Sequence, residues 1–169
     1  MNRFPASLPL LLFLLLTGCA LHAEPKRPPD TPELSYVEDL LTRSQAPPGV
    51  QFVVHEDDEE ALRWLLPRVE WYAWRLHQRW PDLPVAVIAL ADEIGGLSLR
   101  HPDPLIRHIA RRLVRQRGVE IHVCGAHAAD LGLSAEDFPP EIDVVPWGPA
   151  LLRDYNDLGY VQIDLELVW

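Results

Sequence analysis

Cysteine, methionine and basic charge are all scarce in this 169-residue chain, which has two cysteines, one methionine and 15 lysines and arginines against 25 aspartates and glutamates. The formal net charge of −10, with no basic stripe, argues against a nucleic-acid-binding protein, whose affinity comes largely from neutralised phosphates. No internal sequence repeat is visible. Long apolar runs are also missing. The longest, Leu8 to Leu16, spans about ten residues, half of the roughly 20 that a membrane-spanning helix needs.

What stands at the N-terminus is an export pattern. Arg3 gives a positive start, the short apolar core follows, and Leu16-Thr17-Gly18-Cys19 closes it. That tetrapeptide resembles the lipobox of bacterial lipoproteins. The resemblance implies that residues 1–18 are a signal peptide and that Cys19 becomes the lipidated first residue of the mature chain. Ala20, rather than Asp, after that cysteine implies the outer membrane of a Gram-negative bacterium, with the domain on its periplasmic face. Ordinary secretory cleavage after Ala23 is the alternative. With Cys19 lipidated, Cys124 is the only thiol left, and an intrachain disulfide is not available. A lone thiol is unusual in an oxidising compartment, where leftover thiols pair or react.

Residues 19–49 carry Pro25, Pro28, Pro29, Pro32, Pro47 and Pro48, a composition that reads as a tether. Within it "SYVEDLLTRS" suggests a short helix, with Ser35 as N-cap and Glu38 completing a capping box. From Val50 to the C-terminus, β-branched runs alternate with helical periodicity. "VQFVVH", "PVAVIAL", "VEIHVC", "IDVVPW" and "YVQIDLELVW" read as strands. The intervening helices include one interrupted or kinked at Pro67 and one stopped at Gly118. Strands separated by helices mean a parallel sheet, so residues 50–169 are predicted to form a three-layer α/β/α domain of five mainly parallel strands.

The stretch "RGVEIHVCGAHAADLGLSAEDF", followed by "IDVVPWGPALLRDYNDLGY", resembles the DsrE/DsrF/YchN family of small sulfur-handling proteins. The shared pattern is a "GV" entering a strand, a cysteine at its end, "GL" some eight residues on, and a terminal "GY" into the last strand. The resemblance implies a flavodoxin-like domain that assembles as a homo-oligomer, a trimer or hexamer. It also implies sulfur carried as a persulfide on Cys124, with donor and acceptor proteins as partners. Those sulfur relays are cytoplasmic, however, and this chain carries an export signal.

The residues support reactive chemistry at Cys124 independently. Ligands of open α/β sheets sit beyond the carboxyl ends of the strands, and Cys124 ends one, just before a helix whose N–H groups favour an anionic sulfur. His55, Asp92, Glu93 and Trp147 fall at the same edge. His55 and His127 are the candidates to pair with the thiolate or relay its proton. For each the plainer reading is a surface or satisfied histidine, and for Cys124 a buried small hydrophobe. His122, Cys124 and His127 also spell H-x-C-x-x-H, a donor set suited to copper or zinc but matching no strong metal signature. No metal and no cofactor is therefore expected.

The first long helix shows two apolar stripes. Leu62, Leu65, Leu66, Val69, Tyr72, Ala73 and Leu76 should face the sheet. Trp64, Trp71 and Trp74, with Pro67, lie nearly opposite and suggest an interface with a subunit or a bilayer. The alternative is cover by Tyr36, Leu40 and Leu41 of the N-terminal segment. Arg107, Arg111, Arg112, Arg115 and Arg117 on the next helix read as a solvated face. Three function classes remain at this point: a membrane-tethered sulfur carrier acting through Cys124, a non-catalytic binding or assembly module using the tryptophan-rich helix face, and, least favoured, a metal-binding protein using His122, Cys124 and His127.

Overall fold

The computed structural model describes residues 24–167. Each predicted β-branched run forms a strand: β1 Val50–Val54, β2 Val85–Ala89, β3 Val119–Cys124, β4 Asp143–Val145 and β5 Val161–Leu165. They make one sheet in the order β4-β3-β2-β1-β5, with every neighbouring pair parallel. Five helices connect or flank them: α1 Pro32–Leu41, α2 Leu62–Arg79, α3 Leu105–Arg117, α4 Gly125–Asp130 and α5 Gly148–Asp157. The first four strands step in one direction across the sheet. The link from β4 to β5 then returns past all of them, carrying α5 on the opposite face.

The two faces differ in depth. Phe52, Val54, Val87, Ala89, Ile121 and Val123 join α2 and α3 in the main core. The intervening residues Ala86 and Ile88 point the other way, into a small cluster with Tyr155, Leu151 and Leu152 of α5. Helix α5 buries only Gly148 and Tyr155, so it is held far more lightly than α2, which buries ten residues.

Helix α2 runs unbroken through Pro67. That proline sits on an exposed position, and the apolar stripe from Leu62 to Leu76 holds the helix despite one missing N–H. Helix α3 ends at Gly118, which adopts φ 65° and donates its N–H to Leu113 and Val114.

The proline-rich stretch is more than a tether. Helix α1 starts at Pro32, with Thr31 as N-cap, and Ser35 lies inside it with its hydroxyl donating to the Pro32 carbonyl at 2.7 Å. Leu34, Val37 and Leu40 are buried in the main core, and Thr31 shares a 3.1 Å hydrogen bond with the Tyr72 hydroxyl on α2. Arg68 of α2 forms a buried ion pair with Glu33 and donates to the Glu166 carbonyl at 2.9 Å, tying α1, α2 and the end of β5 together.

With α1 and α3 on its flanks, α2 has little outer face left. Trp71 is buried and its indole N–H has no partner among the described residues. Trp74 is half-buried against the core. Of the three tryptophans expected to point outward, only Trp64 does, at 58% exposure. Residues 1–18, expected to be a signal peptide, and Cys19, expected to be lipidated, lie outside the described residues.

Candidate functional site: the thiol at the end of β3

Cys124 is the last residue of β3 and immediately precedes α4. Its side chain lies on the same sheet face as Glu120 and His122, the face under α5. The sulfur accepts a hydrogen bond from the Gly148 N–H, the first residue of α5, at 3.4 Å. The donor predicted from the α4 N-terminus is thus supplied by α5. Gly148 makes the approach possible: a Cβ there would lie 2.4 Å from Leu90 Cδ2 and 3.0 Å from Cys124 Cβ. A larger residue there would have to displace the Leu90 side chain or hold the helix end off the thiol. The result is closure, because Cys124 is only 3% exposed.

Neither histidine predicted to assist it hydrogen-bonds to the sulfur. His127, on the first turn of α4, bonds through Nε2 to Asp92 Oδ1 at 2.9 Å and is partly exposed. His55 follows β1, is exposed, and is separated from Cys124 by the whole width of β2. His122 is buried and fully engaged. Its Nδ1 lies 3.1 Å from Asp143 Oδ2, and its Nε2 lies 3.0 Å from the Tyr155 hydroxyl. With both His122 nitrogens occupied, the H-x-C-x-x-H pattern does not converge. Among the described residues no group of three histidine, cysteine or acidic side chains is placed to hold a metal ion.

The sequence did not reveal how α5 is seated. Tyr155 donates to Glu120 Oε2 at 3.0 Å, stacks on Tyr160 at 4.6 Å between ring centroids, and meets His122 edge-on. Burial, and then the Glu120 carboxylate, push the Tyr155 phenol well above its ordinary range. Asn156 accepts from Gln51 at 2.7 Å. The available signal was "GPALLRDY", a Gly-Pro opening with a tyrosine one face-repeat later, but only the strand order brings that tyrosine under His122.

Glu93 sits fully buried at the same sheet edge. It accepts the N–H groups of Leu90, Ala91 and Glu56, and so fixes the β2 exit against the β1 exit. Burial raises its carboxyl above the usual range although those N–H bonds oppose the shift. Beside it a hollow of about 460 Å³ is lined by Asp57, Asp58, Glu59, Asp92, Arg100 and His101. Asp57, Asp58 and Glu59 belong to the acidic run that follows β1.

An all-parallel five-stranded sheet in the order β4-β3-β2-β1-β5, with helices on both faces, is a flavodoxin-like α/β fold of the DsrE/YchN-like kind. No family model and no curated protein matches the sequence. Solved structures do. MTH1491, a protein of unknown function from Methanobacterium thermoautotrophicum, is 21% identical with a TM-score of 0.56, over 69% of this chain and 97% of that one. The ychN protein from E. coli is 13% identical with a TM-score of 0.52, over 69% of this chain and 99% of that one. At these identities the likeness is one of fold.

Proposed function

We propose that this protein is a membrane-tethered sulfur carrier that holds sulfur as a persulfide on Cys124. The observation that carries the reading is the sulfur's place at the end of β3, under the first N–H of α5. A helix N-terminus directs partial positive charge at whatever anion the sulfur bears, thiolate or persulfide. The step is redox-neutral. The Cys124 thiolate attacks the outer sulfur of a donor persulfide, the donor's S–S bond breaks, and the donor leaves as a thiolate that takes up a proton. The DsrE/YchN-like fold supports this reading, and the lipobox-like Leu16–Cys19 supports export and anchoring in the outer membrane. Transfer needs the first turn of α5 to lift, because nothing as large as a donor thiol reaches the sulfur of a residue that is 3% exposed. Assembly into a trimer or hexamer belongs to the same proposal.

Mass spectrometry after incubation with a sulfane-sulfur donor tests it. Wild type should gain one sulfur atom and Cys124→Ser should not. A second reading, a binding or assembly module without sulfur chemistry, is favoured by the burial of Cys124. Absence of an adduct, together with a Cys124 that resists alkylation in the native protein, decides for that module.

A further inference from the structure

Outside the thiol site, the most apolar opening is a groove of about 670 Å³ between the N-terminal segment and the starts of α2 and α3. Trp64 and Leu105, 58% and 41% exposed, stand at it with Pro67, and every charged residue lining it is basic, Lys26, Arg27 and Arg63 among them. In a chain of net charge −10 that is a local inversion. Most of that charge is already used: Arg27 pairs with Asp30 and Glu38, and Arg63 with Glu60 and Asp103. Lys26 is the chain's only lysine and is exposed. The groove therefore offers an apolar floor with a modestly cationic rim. Tryptophan and basic side chains are the residues that settle at the headgroup level of a bilayer.

The chain itself says which surface meets this groove. Lys26 and Arg27 line it, and Cys19 lies five residues before Glu24, a span of at most about 18 Å when extended. We propose that the groove rests on the phospholipid bilayer to which Cys19 is anchored, with Trp64 and Leu105 entering the interface and Lys26 among the headgroups. This inference rests on the anchoring reading but not on sulfur chemistry. A lipid anchor fixes residence, and a second, weaker contact fixes orientation. The bilayer contact thereby sets which side of the domain is left for partners.

The test uses the full chain, made with its leader in a Gram-negative host and reconstituted into vesicles of phosphatidylethanolamine and phosphatidylglycerol with brominated acyl chains. Bromine quenches nearby tryptophan. Trp64→Phe should lose most of the bromine-dependent quenching, whereas Trp147→Phe, which removes an equally exposed indole from the N-cap of α5, should keep it. Both variants are first shown to unfold at the wild-type midpoint. Quenching in Trp64→Phe equal to wild type overturns the proposal. So does a concentration-dependent dimer in detergent that Trp64→Ser abolishes, since the groove then seats a second copy. An unmodified Cys19 in the mass of the mature protein overturns this contact and the anchor together, while an acylated Cys19 with Trp64 unquenched overturns the contact alone.

Discussion

At the scale of single residues, the thiol is governed by the absence of a side chain at Gly148. Gly148→Ala would drive a methyl into Leu90 and against Cys124. Overpacking of that kind costs about 1–3 kcal/mol, and here the lightly held α5 is the part that gives way. Gly148→Ala is therefore expected to unfold at lower denaturant and to expose Cys124, read as faster alkylation. Slower alkylation would mean that the wall, not the helix, had moved. Tyr72 shows the opposite condition, a polar group fully enclosed. Burial above all pushes its phenol up from 10.0 to about 12, against the Thr31 hydrogen bond that lowers it. The unfolded chain releases this proton first, so stability is intact below pH 10 and falls as pH rises towards about 12, by on the order of 2 kcal/mol. Tyr72→Phe should flatten that alkaline fall in urea titrations. Part of the slope will remain, because burial also raises Tyr155 and Tyr160.

At the scale of elements, α5 behaves as a cover held at three polar points, the Gly148 N–H on the sulfur, the Tyr155 hydroxyl between Glu120 and His122, and Asn156 accepting from Gln51. Losing the hydroxyl, which serves both partners, costs at least about 1 kcal/mol, a several-fold or larger rise in the open population. Tyr155→Phe should accordingly raise the rate of Cys124 alkylation several-fold or more, and that rate should be insensitive to low urea. If instead it climbs with urea at the slope of global unfolding, α5 does not open alone and Cys124 is structural. The strands themselves were legible, because short β-branched runs between turn residues have few other uses. The cover was not. Tyr155 and His122 lie 33 residues apart, and only the return of the chain across the whole sheet places α5 on β3. Periodicity records which face a residue is on, not which strand lies next to it.

At the scale of the whole molecule, the boundary of the domain is where composition misleads. Six prolines made residues 19–49 read as tether, yet Leu34, Val37 and Leu40 are spaced as one helical face and all three are buried. With α1 and α3 both alongside α2, Trp71 is interior and only Trp64 of the three tryptophans is left outside. Cys124 was legible as a strand-end thiol for the same reason the strands were, but its burial depends on a helix from elsewhere in the chain. Docking of α1 leads to a prediction about truncation. Each of the three buried aliphatic side chains contributes about 1.5–3 kcal/mol. Removing Glu33 also strips Arg68 of its carboxylate, a loss of up to about 3–5 kcal/mol that solvent entering the vacated site offsets in part. Against a typical total of about 5–15 kcal/mol, that is most of the fold's stability. A chain beginning at Ser44 should therefore lose cooperative unfolding, whereas one beginning at Glu24 should unfold in urea at the midpoint of the longer protein. Equal midpoints for the two would show that α1 is carried along by the domain and holds nothing in place.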